Sequence, residues 1–449
     1  MRGNTKTIVV LLAGALGLAA APLAAQQPVP YQLTLKDAIE RALRANLNVL
    51  VSATRVDEAE SASERNRAAA LLPRVNMETY ANAQNRNLRA FGLSLPGIPI
   101  PSVVGPFSNY DFRVYAQQNV VDLASYRNWK ASEMATNADK MDLDDARDMI
   151  VRVVAGLYLN VQSAEARVAS AQSRVTDSET LAKLARDKHD AGTATGVDVL
   201  RAQVQLANDR QALLIEQNAV KLALLELERN LGMEPGTPVE LAEPLVYRTL
   251  NPETTETLIA AALAARADYR SLATQRSALV EQQKANHARW YPKVSVNGNF
   301  GGIGRSIGGV QATGLIQGQV DFTVFDQDRE GEEAELASRL RRIDDQMADL
   351  RRGVDEDLRA ALLNLESAAE QVAVAEQGQE LAKRELQEAK DRFDAGTANN
   401  VEVVTAQDEL ARAEENYILA VSSHVDAKYA LARAEGDTEK NMLTYSGSE

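Results

Sequence analysis

Residues 188–203 read KHDAGTATGVDVLRAQ, and residues 392–407 read RFDAGTANNVEVVTAQ. The five letters DAGTA are identical in the two copies, which lie 204 residues apart, and each copy is flanked by Ala-rich stretches with helical periodicity. Because glycine adopts positive φ at little cost, Gly192 and Gly396 are suited to end one helix and reverse the chain. A repeat of this kind predicts two similar halves, each with a helical hairpin.

The residues after each glycine suit the start of the next helix. Thr195 in the first copy, and Asn399 or Asn400 in the second, have side chains that cap helix N-termini. Asp198 and Glu402 then fall in the first helical turn, where the helix dipole stabilises a carboxylate. The sequence therefore predicts two helical hairpins with acidic side chains at their tips.

The composition narrows the class of protein. Hydrophobic residues make up 45% of the 449 residues but aromatic residues only 5%, which suits long helical packing better than a bulky globular core. The chain has no cysteine, so disulfides, thiolate metal sites and a lipid-modified N-terminal cysteine are excluded. A formal net charge of −14 argues against electrostatic binding of nucleic acid.

Residues 1–25 have the features of a signal peptide. Arg2 and Lys6 supply a positive region, an apolar stretch follows, and small residues precede a cleavage position before Gln26. The alternative, a retained anchor, is disfavoured because the apolar run is short. No later segment has the roughly 18 consecutive apolar residues of a spanning helix, so any membrane crossing would use strands.

Four segments alternate apolar and polar residues with a period of two, the pattern of a half-buried strand. Between the members of each pair, the Pro-rich residues 85–109 and the Gly-rich residues 301–314 predict loops. The predicted strands cover about residues 74–84, 110–121, 293–301 and 313–325.

Two stretches of about 70 residues, near 122–191 and 326–395, are predicted to be long helices. Apolar residues from Ile150 to Val175 follow a 4-3-4-3 spacing, and the same spacing returns from Val354 to Ala375, which indicates a coiled coil. Two shorter helices placed end to end would match the length of one long helix. The shorter helices are predicted at Thr34–Leu72, Val197–Leu231, Thr257–Tyr291 and Val401–Ala434.

These elements divide the chain into repeats. The expected division is a signal peptide at 1–25, a first repeat at 26–231 with its tip at about 190–198, an equatorial linker at 232–253, a second repeat at 254–435 with its tip at about 394–402, and a C-terminal tail at 436–449.

Four strands cannot close a barrel, and an open sheet edge is not tolerated in lipid. Closure by two, three or four copies would give barrels of 8, 12 or 16 strands. Trp129 follows the second strand, and Trp290 and Tyr291 precede the third, where membrane-interface aromatics are favoured. Two alternatives stay open: these are ordinary packing aromatics, and the strands form a soluble cap.

The whole mature chain, about residues 31–435, resembles the TolC family of outer-membrane efflux proteins. The resemblance rests on the duplicated helix–strand–strand–helix–helix halves, the paired A-G-T-x-x-x-x-[DE]-V tips and the strand exits NVVD at 119–122 and TVFD at 323–326. It implies a mostly α fold with membrane β: a homotrimer whose 12-stranded β-barrel continues into a periplasmic coiled-coil tunnel. It also implies a passive exit duct for efflux or type I secretion in the bacterial outer membrane.

The partners that the resemblance implies are a periplasmic adaptor (membrane fusion protein) and an inner-membrane pump. Asp198 and Glu402 would form an acidic ring at the periplasmic gate, which would favour cations. Ala398 and Thr405 stand where some members carry Arg and Asp, so their charge-paired lock is not expected here. Adaptor docking is assigned to Ala191, Gly192, Thr193, Thr195, Val199, Leu200, Ala395, Gly396, Thr397, Val403 and Val404.

No catalytic, cofactor or metal site is expected. Residues 304–308 match the G-x-S-x-G pattern, but they lie in a loop between strands instead of a strand-to-helix turn. His189, His287 and His424 are far apart and have no ligand-spaced partners. The rival classes are a periplasmic adaptor, which would have one hairpin flanked by β-rich domains, a soluble exported coiled coil and, last, an exported enzyme.

Overall fold

The computed structural model describes residues 31–92, 101–250 and 255–446. The expected signal peptide lies outside the described residues, as do small parts of the first strand-to-strand loop, the linker and the tail. The first half contains β1 (Tyr31–Leu33), α1 (Leu35–Ala45), α2 (Leu47–Leu71), β2 (Arg74–Asn87), β3 (Val103–Val121), α3 (Leu123–Asp190) and α4 (Gly196–Asn230). The second half contains β4 (Val239–Leu241), α5 (Thr255–Ala265), α6 (Ala267–Ala288), β5 (Lys293–Gly304), β6 (Gln311–Asp321), α7 (Gln327–Asp394), α8 (Asn400–Glu435) and α9 (Thr438–Ser446).

The two long helices, α3 and α7, have 68 residues each, a length of about 100 Å. Both begin after an aspartate: Asp122 directly follows β3, and Asp326 lies five residues after the end of β6. The Asp122 carboxylate accepts from the backbone N–H of Ser125 at 3.0 Å, and the Asp326 carboxylate accepts from that of Arg329 at 3.3 Å. The repeated aspartate is therefore the N-cap that starts each long helix.

The predicted heptad residues form the core along these helices. Val154 and Val161 in α3, and Val354 and Leu358 in α7, are fully buried. On α3, α2 packs towards the sheet and α4 towards the tip, while α7 packs in the same way against α6 and α8. An apolar seam thus joins each long helix to its shorter partners, as the spacing predicted.

Stacking of the shorter helices end to end is visible at two glycines, 204 residues apart. Gly232 follows α4 with φ of 64°, and a Cβ placed there would lie 2.7 Å from the Ala45 Cβ at the end of α1. Gly436 follows α8 with φ of 79°, and its Cβ would lie 2.9 Å from the backbone nitrogen of Arg266. Both joints therefore need a residue without a side chain.

The predictions of single helices over Thr34–Leu72 and Thr257–Tyr291 were wrong. Each is interrupted beside one of the glycine joints. Asn46 takes an extended conformation, ends α1, and caps α2 by accepting from the Asn48 N–H at 2.9 Å. Arg266 ends α5 and is buried against Asp268 at 2.7 Å.

The main sheet has the order β2-β3-β5-β6 and is antiparallel throughout. The register aligns Met77 with Val114, and Val114 with Phe300, so apolar side chains share one exposed face. On the other face the Arg113 guanidinium donates to Asp111 at 2.8 Å. Within the described residues, β2 and β6 are edge strands without a neighbour.

The strand limits differ from the predicted ones. The loop predicted at 85–109 was too long, because β2 continues to Asn87 and β3 begins at Val103. The register shift after Gln84 places an irregularity opposite Pro106, which allows a proline inside a paired strand. β6 begins two residues earlier than predicted and ends at Asp321, so residues 322–325 are not part of the strand.

Two structural features near the expected equatorial linker (residues 232–253) could not be predicted from the sequence. β1 and β4 form a parallel pair that aligns Leu33 with Leu241, and three-residue strands are too short to show a pattern. The expected tail contains α9, whose Met442 is fully buried in the largest apolar cluster. Among the described residues, none of the helices combines the length and apolar character needed to cross a membrane.

Candidate functional site at the paired hairpin tips

The two hairpin tips have the same turn. Gly192 has φ of 74° and Gly396 has φ of 75°, and a Cβ at either would meet no atom within 4 Å. The need for glycine is therefore conformational and not steric. The Lys188 carbonyl oxygen accepts from the backbone N–H and the hydroxyl of Thr193 at 2.8 and 3.0 Å. In the second tip the Arg392 carbonyl oxygen accepts from the same two groups of Thr397 at 2.9 and 3.1 Å.

Asp198 is held against the start of its own helix. The backbone N–H of Thr195 donates to the Asp198 carboxylate at 3.0 Å, and the Thr195 hydroxyl donates at 2.6 Å. These two bonds, the hydroxyl first, lower the pKa of Asp198. With the Asp198 N–H donating back to the Thr195 hydroxyl, the pair forms a capping box.

Glu402 has a different environment. Asn399 is the N-cap of α8 and accepts from the Val401 and Glu402 N–H groups at 3.0 and 3.3 Å. The Glu402 carboxylate is thereby free to pair with Arg392 at 3.0 Å. Its side chain is 43% exposed, against 17% for that of Asp198. The two predicted gate acids are therefore not equivalent.

Two contacts tie one hairpin to the other at the tip. The Lys188 ammonium group donates to the backbone carbonyl oxygens of Phe393 and Asp394 at the end of α7. The buried Asn400 side chain donates to the Asp198 carbonyl oxygen at 3.0 Å. Sequence reasoning missed both contacts, and Asn400, predicted with Asn399 as a possible cap, is not the cap of α8. The only available signal was that position 188 and its repeat, position 392, are both basic.

The predicted docking residues fall into two groups. Val403 is fully buried in the apolar cluster of the tip, where it supports the turn from within, and Val199 and Val404 are partly buried. Leu200 is exposed and lines a groove of about 490 Å³ with Val204, Val197, Val401 and Val404. The remaining docking residues are exposed on the turns: Ala191, Gly192, Thr193, Thr195, Ala395, Gly396 and Thr397.

The predicted interface aromatics lie at the sheet end of the helices. The Lys130 ammonium lies 4.6 Å from the centre of the Trp129 ring. The Arg329 guanidinium lies 4.5 Å from that of Trp290, and Trp290 and Tyr291 are both exposed. Each tryptophan therefore combines an apolar ring with an adjacent cation.

Above the tip, several contacts between the hairpins are polar. The hydroxyls of Ser163 in α3 and Ser422 in α8 are 2.6 Å apart. Further towards the tip Ser170 donates to Glu414, and Lys390 pairs with Asp177 at 3.2 Å. Apolar contacts also join the two hairpins, since the cluster at the tip combines Leu181 of α3 with Leu386 of α7.

The chain matches the family model described as outer membrane efflux protein over residues 38–233 and 258–437. The protein belongs to the outer membrane efflux protein family. The two matched segments correspond to the two halves of the fold, and the resemblance stated from the sequence is confirmed. As a family member, the protein resides in the outer membrane, with its long helical portion in the periplasm.

Relatives of this efflux protein include the pyoverdine export outer membrane protein OpmQ of Pseudomonas aeruginosa, which is 26% identical over 272 residues. That match covers 59% of this chain and 55% of the relative, so it spans about half the length of the curated protein.

Solved structures show the same fold. VceC of Vibrio cholerae has a TM-score of 0.73 at 18% identity, covering 90% of this chain and 96% of VceC. The open state of the MtrE channel of Neisseria gonorrhoeae has a TM-score of 0.74 at 16% identity, covering 91% and 90%. The predicted fold class, long helices continuous with a membrane β-sheet, is confirmed.

Proposed function

We propose that this protein is the exit duct of a tripartite efflux or type I secretion system in the outer membrane. It is a passive conduit, opened at its periplasmic tip by an adaptor and an inner-membrane pump. The observation that carries the proposal is a sheet with one apolar face and, among the described residues, two unpaired edges, followed by helices long enough for a periplasmic tunnel. No catalytic role is assigned.

The functional unit is a homotrimer. An open-edged sheet is not stable in lipid, and three copies of four strands close a 12-stranded barrel. A second surface supports association, because α4 exposes an apolar stripe beyond the groove beside Leu200. That stripe contains Leu214, Leu222 and Leu225.

The periplasmic gate is lined by Asp198 and Glu402, two carboxylates from each chain. Rings of acidic side chains favour cations in a narrow pore. The partners found for both acids, Thr195 and Arg392, show that each also stabilises its own hairpin. In this proposal Asp198 and Glu402 each have two roles: they line the gate, and they stabilise the hairpin to which they belong.

The tip turns and the groove beside Leu200 form the adaptor docking surface. The Gly192 and Gly396 turns project without side chains, and the groove is apolar with Arg201 and Gln205 at its border. A shallow apolar groove of this kind fits the apolar face of a helical hairpin.

The aromatic residues mark the periplasmic boundary of the membrane. Trp129 and Trp290 each have a neighbouring cation suited to lipid phosphate groups, and Tyr291 is exposed beside them.

A small molecule is the first class of cargo to test, because the relative OpmQ is described as a pyoverdine export protein.

The deciding experiment is the native mass of the mature protein extracted from outer membranes in detergent, followed by conductance in planar bilayers. Three times the chain mass and a stable ion conductance would support the proposal. Extraction without detergent as a monomer or dimer would mean that the sheet is a soluble cap, and the duct would be excluded.

A further inference from the structure

A small cavity of about 20 Å³ lies where α3, α4, α7 and α8 meet, immediately above the apolar cluster of the tip. Its walls are mainly polar, although it lies inside a coiled coil. Asp209 is only 8% exposed and accepts from the Ser178 hydroxyl and, at 3.4 Å, from the Gln205 amide. The same Gln205 amide reaches Asp408 on α8 at 3.4 Å.

Gln407 has no hydrogen-bond partner at this cavity. Its side chain is 7% exposed, and neither its amide nitrogen nor its amide oxygen has a partner in the described part of the chain. The buried Nε of Arg174, which lines the same cavity from α3, also lacks a partner among the described residues. Burial of amide and guanidinium groups without hydrogen bonds is strongly unfavourable.

The hydrogen-bond donors and acceptors that line the cavity determine which ligand it can hold. The Gln407 nitrogen and the Arg174 Nε are donors, while the Gln407 oxygen and the Asp408 carboxylate are acceptors. A cation would be repelled by Arg174, and an anion by Asp209 and Asp408. A water molecule both donates and accepts, and a cavity needs only roughly 10–15 Å³ to hold one.

We propose that this cavity is the site of one ordered water molecule, which joins Gln407 of the second hairpin to Arg174 of the first. A buried polar layer fixes the register of a coiled coil, because sliding one helix would place its polar group against apolar side chains. The water site therefore sets the alignment of the two hairpins just above the tip.

The internal repeat supplies a matched control. Gln203, 204 residues before Gln407, is the same residue at the same position of the first tip motif, and it is exposed. The site is therefore not a property of the repeated motif.

The test begins with electron density for the detergent-purified full oligomer. One density peak at about 2.8 Å from the Gln407 amide is expected for water. A peak with shorter contacts from several oxygens, which exchanges with thallium in anomalous maps, would identify a cation and overturn the proposal. An absence of density in a well-ordered map would overturn it as well.

The melting temperature gives an independent test, because a hydrated and a dry cavity predict changes in opposite directions. If the cavity is hydrated, Gln407→Leu removes the bridge and lowers the melting temperature by about 2 °C, whereas Gln203→Leu leaves it unchanged. In a dry cavity, the same Gln407 substitution would remove two unsatisfied polar atoms and raise the melting temperature. Should Gln407→Leu fail to assemble, the wild-type density map still decides the question.

Discussion

The Lys188 ammonium group lies 4.4 Å from the centre of the Phe393 ring and donates a hydrogen bond to the backbone carbonyl oxygen of that residue. A cation at the C-terminus of α7 complements the helix dipole, and here it comes from the neighbouring hairpin. The contact joins the two tips of one chain, in which positions 398 and 405 are occupied by the uncharged residues Ala398 and Thr405.

Replacing Lys188 with methionine should loosen the tip. Met keeps the aliphatic length but removes the charge and the donors, so the conductance of the reconstituted channel is expected to rise. Lys183→Met is the matched control, because that lysine is exposed on the same helix. Equal conductance in both variants would mean that the Lys188 contact does not restrain the gate.

Asp198 and Glu402, the two proposed gate acids, should differ in how much each contributes to stability. Asp198→Ala removes a capping box and is expected to lower the free energy of unfolding by about 1 kcal/mol, whereas Glu402→Ala breaks one exposed ion pair worth about 0.5 kcal/mol. Both should reduce cation preference in bilayers, since each removes a charge from the tip.

Asp198→Asn is the control for charge alone, because it keeps an acceptor for Thr195. Unaltered ion selectivity in the Asp198→Ala and Glu402→Ala double variant would remove the gate assignment.

The lowered pKa of Asp198 predicts how the stability of the protein depends on pH. The stabilising effect of Asp198 is present above its unfolded pKa and is lost as pH falls through the lowered folded value.

Alanine substitutions at Gly232 and Gly436 should differ in whether a second substitution can restore the lost stability. Gly232→Ala places its Cβ 2.7 Å from that of Ala45 and is expected to destabilise the chain by about 2 kcal/mol. Ala45→Gly should restore part of that loss. At Gly436 the obstacle is backbone, so no single side-chain change should rescue Gly436→Ala. Thermal unfolding of the single and double variants measures both effects.

Lys428 should make stability depend on pH. Its ammonium group is buried and donates to the Arg248 carbonyl oxygen at 2.9 Å; burial, and then the Arg248 charge, lower its pKa to about 8. Between that value and the unfolded pKa of about 10.4, the unfolded chain binds more protons, so stability should rise with pH. Lys428→Met should abolish the rise in unfolding curves at pH 7 and 10. A rise that persists would assign it to another group.

Intrinsic fluorescence can locate the membrane boundary, because Trp129 and Trp290 are the only two tryptophans. In variants that retain one of them, lipids brominated near the headgroup should quench emission more strongly than lipids brominated at the chain end. Equal and weak quenching by both lipids would place the rings in protein contacts away from the bilayer.

The sequence was informative where the physical signal was repeated or periodic. The glycine turns, the heptads and the helix cap at Thr195 were all predicted, since each depends on local chemistry. The breaks at Asn46 and Arg266 were not, because they lie beside Gly232 and Gly436, which are 186 and 170 residues away in the sequence. Likewise, the role of Lys188 depends on Phe393, which no local pattern connects to it.

The even number of strands in the sheet affects how the protein can insert into the membrane. With four antiparallel strands, the edges β2 and β6 run in opposite directions, so neighbouring copies can join edge to edge and keep the antiparallel pattern. A lone chain would expose both edges to lipid, which offers them no hydrogen bonds. In the proposed trimer, insertion and assembly are therefore one event. Dilution of newly exported chains should slow insertion far more steeply than in direct proportion to their concentration.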